Sequence, residues 1–200
     1  MFKHACARLV SIGASVGVSL LVGGVVVWQL SYAAFSSVTV DPTSNFTAGS
    51  VVLRDDDSST VMFIATGLHP GSTGTKCIVV TSSGTLDSTV KLYATGYTTS
   101  NALGTHLNMV IDQGTGGSFS ASGPTTCTGF VSEGNEFTGT LAAFAATKTD
   151  FATGVSGWAP AGAGSQTKTF RLTYTLDAAT PNSSQSGTAA VGLTWEAQNS

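Results

Sequence analysis

The segment from Leu9 to Val40 contains no charged residue, and this feature most constrains how the chain can be organised. Its first part, Leu9 to Leu30, is apolar and long enough to cross a bilayer as a helix. The basic residues Lys3 and Arg8 precede it, which is the order typical of an export signal. The sequence therefore predicts an N-terminal signal or transmembrane helix followed by an exported part.

The end of the apolar segment offers a cleavage site. Small residues suit signal peptidase, and we expect this enzyme to cut between Ala33 and Ala34. Residues 1–33 would then be a signal peptide and residues 34–200 a single domain. The alternative is an uncleaved membrane anchor, and the basic residues before the helix place the domain outside in both cases. We predict a secreted or cell-surface protein that contacts the membrane only through its leader.

The exported part has the composition of a β-protein. The chain is 42% hydrophobic and only 10% charged, and it has 24 glycines. Thr167–Leu176 shows the clearest alternation, because Phe170, Leu172, Tyr174 and Leu176 fall on one face and polar residues on the other. Such a period of two indicates a strand with one buried and one wet face.

Several other segments follow the same pattern. The last strand is expected to place four residues inward: Ala189, Val191, Leu193 and Trp195. The remaining predicted strands are Ser50–Arg54, Thr60–Thr66, Lys76–Thr81, Thr89–Gly96, His106–Ile111 and Glu136–Thr140. Leu141–Phe151 lacks alternation and is expected to form a short helix at one end, and Gln113–Thr128 a long loop. About eight short strands separated by turns predict an all-β fold, an antiparallel sandwich.

Two cysteines remain after the leader. An even pair in an exported chain favours a disulfide, so we predict a bond between Cys77 and Cys127. Two buried free thiols are the alternative.

Few residues suggest chemistry. His69 precedes a proline in a turn and His106 lies in a strand pattern, so neither belongs to a recognisable zinc motif. Asp55–Asp57 lacks calcium-loop spacing, and a solvated turn is the better interpretation. Glu133 and Glu136 have no context that predicts a raised pKa. We predict no catalytic residue, cofactor or metal ligand, and the net charge of −3 without a basic cluster argues against nucleic acid as a partner.

Three segments in order resemble the TasA/camelysin family, whose members are exported through SipW-type signal peptidases. They are NFTAGSVVL (Asn45–Leu53), GLHPGSTGTKCIVV (Gly67–Val80) and SSGTLDSTVKLY (Ser82–Tyr93). The long apolar leader agrees with the family pattern. The closing part of the chain is similar to the high-GC Gram-positive branch of the family.

The resemblance implies a jelly-roll-like sandwich and a structural role in extracellular fibres or biofilm matrix. In such subunits the N-terminal strand of one copy fills a groove in the next copy. Carried over to this chain, the donated strand consists of Phe35, Ser36, Ser37, Val38, Thr39 and Val40. The expected partners are other copies of the chain, forming a homopolymer, or related matrix subunits. Alternation in this segment is poor, so either face of the strand can be the one that docks.

Two other functions remain open. Camelysins have been classed as metallopeptidases, although this sequence has no recognisable zinc motif. The chain can instead be a monomeric adhesion or carbohydrate-binding module, with a stacking platform formed by Tyr93, Tyr97, Trp158 and Trp195.

N-terminal sequencing of the secreted protein tests the expected cleavage. We expect the mature chain to begin at Ala34, because this cut leaves the uncharged strand at the new terminus. A mature protein that still begins with the leader would contradict this and would indicate a membrane anchor.

Overall fold

The computed structural model describes residues 36–37, 50–57, 62–63, 65–119, 127–162 and 164–200. All of them belong to one compact unit, Phe35–Ser200. The predicted leader and its cleavage site at Ala33 and Ala34 lie outside the described residues.

The chain folds into two antiparallel β-sheets. The first sheet has the strand order β1 (Ser36–Ser37), β9 (Ala189–Asn199), β4 (Ser88–Thr99) and β7 (Val155–Trp158). The second has the order β2 (Leu53–Asp55), β3 (Thr73–Ser82), β8 (Gln166–Leu176), β5 (Leu107–Thr115) and β6 (Val131–Thr140). Successive strands from β3 onward change sheets at every step except β5 to β6. This connectivity is that of a jelly roll, which confirms the predicted all-β fold class.

Short helices lie between the strands. Helix α1 (Leu103–His106) leads into β5, and helix α2 (Leu141–Thr147) follows β6. A single 3-10 turn, Asn182–Ser184, precedes β9. Thr140 caps the start of helix α2, because its hydroxyl accepts a hydrogen bond from the Ala143 N–H (3.1 Å). Neither described α-helix has the length and apolar composition needed to cross a membrane.

The core lies between the facing sheets. Its largest fully buried side chains come from both sheets and from helix α2: Phe144, Phe170, Ile78, Leu92, Ile111 and Leu172. Each buried side chain of this size contributes about 1.5–3 kcal/mol through removal of apolar surface from water. Across the sandwich, the Phe170 ring of β8 contacts the Trp195 ring of β9, with ring centres 5.6 Å apart. Strand β9 therefore packs over β8.

The alternation in β8 predicted its buried face correctly. Phe170, Leu172 and Leu176 are at most 3% exposed, and Tyr174 is half-buried. The inward face predicted for β9 is also confirmed, because Val191 and its three alternating neighbours pack against the core.

Four local predictions differ from the structure. Strand β7 was not predicted, because its four residues are too few to show an alternating pattern of apolar and polar side chains. The helix expected over Leu141–Phe151 ends at Thr147, and β5 extends through Thr115 into the expected loop. The described residues of the expected strand Thr60–Thr66, 62–63 and 65–66, are not in a strand.

A disulfide joins Cys77 of β3 to Cys127. The Cα atoms are 5.4 Å apart, and the two cysteines are separated by 50 residues in sequence. Cys77 is 2% exposed, so its half of the bond is buried. The bond closes a loop that contains β4, β5 and helix α1.

Replacing both Cys77 and Cys127 by Ser should destabilise the domain. Loop closure of this length predicts a loss of about 4 kcal/mol in the free energy of unfolding, since the unfolded chain regains its freedom. Urea unfolding of the mature chain measures this loss. A reducing agent should produce the same shift in the wild type and none in the double variant. Equal stability of variant and wild type would contradict the expectation.

Candidate functional site

An apolar groove with a volume of about 770 Å³ runs between the two sheets along β9. One wall is the inner face of β9, including Val191 and Leu193. The floor comes from the second sheet and includes Leu107, Leu172 and Tyr174. None of its described lining residues is charged. The groove therefore suits an uncharged, largely apolar occupant.

The loop that follows β2 closes part of the groove. It contributes Phe63 and Leu68 to the lining. The Phe63 ring stands edge-on to the ring of Tyr174, with centres 5.2 Å apart. Gly74 lies opposite Tyr174 in the neighbouring strand, and a Cβ atom at Gly74 would come within 2.5 Å of the tyrosine ring. A glycine at this position therefore leaves the space that the Tyr174 ring occupies beside β3.

The described residues pair with only part of the outer edge of strand β9. Its inner neighbour β4 pairs with it along almost its whole length. On the other side, the only described strand is Ser36–Ser37, which pairs with Gln198 and Ala197. Among the described residues, the edge from Ala189 to Glu196 therefore has no paired strand. Backbone N–H and C=O groups on such an edge can accept an added strand.

The predicted assembly strand lies partly at this edge. Ser36 and Ser37 form β1 and pair antiparallel with the end of β9 within the same chain. The other four residues predicted for the strand lie outside the described residues: Phe35, Val38, Thr39 and Val40. Ser36 and Ser37 of the predicted strand thus lie beside the end of β9.

Two loops form a polar end to the groove, beside the start of β9. The Ser100 N–H donates to the Thr188 carbonyl (2.8 Å), and the Thr188 N–H donates back to Ser100 Oγ (2.9 Å). The Asn101 side-chain amide donates to the Gln185 carbonyl (2.9 Å). These bonds hold the turn at 100–102 against the segment 182–188. Sequence reasoning missed this end, because its two loops are more than eighty residues apart.

The acidic run Asp55–Asp57 leads from the end of β2 into a bend in which Asp55 and Asp56 are exposed, as the predicted solvated turn required, but it also forms specific hydrogen bonds. Asp55 ends β2, and both carboxylate oxygens of Asp56 accept backbone hydrogen bonds at 2.8 Å, from the Val79 and Phe119 N–H groups. Asp56 therefore ties the segment after β2 to β3 and to the loop after β5. Desolvation and a hydrogen bond with Asp57 raise the pKa of Asp55 to about 6.

The two glutamates highlighted by the sequence also have structural partners. Glu133 forms an ion pair with Lys168 at 2.5 Å. Glu136 accepts a hydrogen bond from the Ser156 N–H (2.9 Å), and the Ser156 hydroxyl donates to the side-chain oxygen of Gln113 (3.0 Å). Ser156 has a left-handed backbone conformation with φ 75°. Glu136 therefore holds a strained bulge of β7 against the second sheet.

The four aromatic residues proposed as a stacking platform do not share a surface. Trp158 is 8% exposed and belongs to the core, and Trp195 packs against Phe170 inside the sandwich. The Tyr93 hydroxyl donates to Glu196 (2.8 Å), whereas Tyr97 packs against the core. Burial and this bond raise the pKa of Tyr93 to about 12.

The fold and the groove define a class of protein: a jelly-roll sandwich with a groove along its last strand whose described lining is uncharged. Comparison with protein families identifies it further. The model of the camelysin metallo-endopeptidase family matches residues 2–109, more than half of the chain, and the chain belongs to this family. The resemblance seen in the sequence segments is thereby confirmed. A search of curated proteins found no match to the chain.

The family's name implies a metal centre, but the described residues do not fit one. No group of three His, Cys, Asp or Glu side chains in the described part of the chain is placed to hold a metal ion. His69 lies in an exposed turn, with Nδ1 3.2 Å from the Pro70 carbonyl. His106 ends helix α1 and is half-buried. Neither histidine lines the groove.

Replacing Asp55 by Asn should change how stability depends on pH. The pKa of Asp55 is higher in the folded protein than its usual 3.8, so the protonated form favours folding. This contribution appears as pH falls through about 6 and is absent at higher pH. Between about pH 7.5 and about pH 5, the Asp55→Asn variant should therefore gain less thermal stability than the wild type.

Asp57→Asn is the matched comparison for this experiment. It removes the neighbouring carboxylate, so it should reduce the same pH-dependent gain in thermal midpoint. Identical pH profiles for the wild type and both variants would contradict the expectation.

Proposed function

We propose that this protein is a secreted structural subunit of the cell surface or extracellular matrix that polymerises into fibres. Residues 35–40 of one copy would add to the β9 edge of the next copy. The observation that carries this proposal is the pairing of Ser36 and Ser37 with the end of β9, a strand that lies beside an apolar groove.

The geometry of the first sheet favours an added strand. In a jelly roll, the position next to β9 belongs to the first strand of the fold, and here only two described residues occupy it. An added strand would pair with the free N–H and C=O groups of β9 and turn alternate side chains into the groove. The jelly roll would then be completed by a second copy.

The chemistry of the two surfaces agrees. The described groove lining has no charged residue, and neither does the segment Phe35–Val40. An isolated charge would be costly to bury in such a groove, whereas Val, Phe, Ser and Thr side chains are tolerated. The absence of charge in both surfaces therefore supports their pairing.

Pairing within one chain competes with pairing between chains. A short tether gives the strand an effective concentration on the order of millimolar, which favours its own β9. The described pairing of β1 covers Ser36 and Ser37, and each further hydrogen bond in a ladder between copies would contribute about 1 kcal/mol. Assembly should therefore depend strongly on protein concentration.

The family name supports a second function, a metallopeptidase. Its metal would have to be bound by residues beyond those described, since the described ones form no ligand cluster. The structural role is the better supported of the two.

Mixing two defective variants tests strand donation. A donor-deficient chain lacks residues 35–40, and an acceptor-deficient chain carries Val191→Asp, which places a charge in the groove. Both chains begin at Ala34 in the wild-type numbering. Electron microscopy should show fibres of the wild type and no fibres of either variant alone. The mixture should form heterodimers, because the acceptor-deficient chain still has a strand and the donor-deficient chain still has a groove. Sedimentation measures the mass of these heterodimers.

Thr194→Asp is the matched control, since Thr194 lies on the outer face of β9, bonded to Thr95 (3.2 Å), and does not line the groove. It should still form fibres. Circular dichroism must show that each variant is folded. Fibres from the folded chain without residues 35–40, as abundant as those of the wild type, would contradict the proposal.

A further inference from the structure

Ser156 is a buried nucleophile that does not line the groove. It lies in strand β7 of the first sheet and is 3% exposed. Its hydroxyl donates to the side-chain oxygen of Gln113 in β5 of the second sheet (3.0 Å) and accepts from the Trp158 N–H (3.2 Å). The Ser156 N–H donates to the carboxylate of Glu136 in β6 (2.9 Å). A hydroxyl, a carboxamide and a carboxylate therefore meet between the two sheets.

Irregularities in the strands aim these side chains at one another. Consecutive residues of β5 pair with Phe137 and Asn135, so Glu136 between them is an extra residue without an opposite in the ladder. Ser156 likewise lies at a register shift between β7 and β4. Such bulges redirect a side chain and are frequent beside active sites. Ser156 also has a left-handed φ of 75°, and strain of this kind concentrates at functional sites.

The three groups suit an acyl transfer within the protein. The carboxamide carbon of Gln113 is one bond beyond the oxygen that the Ser156 hydroxyl contacts, so an electrophile lies beside the nucleophile. Glu136 is bound at the backbone of the same serine, and no described Lys or Arg forms an ion pair with it, so it can act as a base. Groups held in contact react as if present at about 10⁵–10⁸ M.

We propose that Ser156 and Gln113 form an ester bond that joins the two sheets covalently. Glu136 takes the hydroxyl proton while Ser156 Oγ forms a bond with the carboxamide carbon, and the Trp158 N–H stabilises negative charge on Oγ as the proton leaves. The bond between this carbon and Gln113 Nε2 then breaks. Nε2 takes the proton from Glu136 and departs as ammonia, so the products are one ester and one ammonia.

The surroundings preserve this ester once it has formed. Because Ser156 is buried, water that would hydrolyse the bond has little access to it. Ammonia escapes into the solvent, where it is dilute, and its departure draws the reaction forward. The bond forms within a single folded subunit, so this inference does not depend on strand donation.

Mass spectrometry of the folded chain beginning at Ala34 tests the bond. After reduction of the disulfide, the measured mass should be lower than the sequence mass by one ammonia. A proteolytic digest should contain one pair of peptides that joins Gln113 to Ser156, and hydroxylamine, which cleaves esters far faster than amides, should separate them. A mass equal to the sequence mass would overturn the proposal.

Two variants locate the bond. Gln113→Met removes the carboxamide and should abolish the loss of ammonia. Gln166→Met is the matched control, because the Gln166 carboxamide donates to the Ala161 carbonyl (2.8 Å), and the loss should remain. Ser156→Gly should also abolish the loss, and it should fold, because glycine adopts a left-handed φ without strain. Loss of ammonia that persists in folded Ser156→Gly would show that the bond does not involve Ser156.

Glu136→Gln tests the base. The glutamine oxygen can still accept the Ser156 N–H, so circular dichroism should show a folded chain, but it cannot take the hydroxyl proton. Ester formation after refolding, followed by mass spectrometry over time, should slow about a hundredfold or more. A folded Glu136→Gln chain that forms the ester at the wild-type rate would exclude Glu136 as the base.

Discussion

The structure depends on the edge of strand β9. This strand is the last strand of the chain, and it belongs to the first sheet. Its inner face packs against the core, and the backbone groups along its outer edge need hydrogen-bond partners. Pairing with β4 meets that need on one side, but the described chain supplies only Ser36 and Ser37 on the other. Soluble proteins usually protect such an edge. Here the edge borders an uncharged groove, and this is where the proposed donated strand would add.

Other parts of the fold keep this edge in position. Phe170 and Trp195 join β8 to β9 across the core, and helix α2 buries Phe144 beneath the sheets. The disulfide at Cys77 holds the loop after β5 against the far side of the second sheet. These contacts are rigid and mostly apolar, which suits a scaffold. No group of three His, Cys, Asp or Glu side chains among the described residues is placed to hold a metal ion.

Much of the fold was predictable because burial imposes a period on a strand. The alternation around Phe170 predicted β8 and that around Val191 predicted the inner face of β9, and both are confirmed. Strand β7 was not predicted, because four residues are too few to establish an alternating pattern. The hydrogen bonds of the Asp56 carboxylate were not predicted either, because their backbone donors lie 23 and 63 residues away in sequence.

The sequence by itself determined the fold class, the family and the uncharged segment before Val40, because composition, period and motif are local properties. Only the tertiary structure decided that Ser36 and Ser37 of this segment pair with the end of β9, and that a groove runs along the same strand. The walls of the groove come from separate strands and loops, which meet only when the two sheets pack. For the same reason, nothing in the sequence relates Ser156 to Gln113, 43 residues away, whereas in the fold their side chains are hydrogen-bonded between the two sheets.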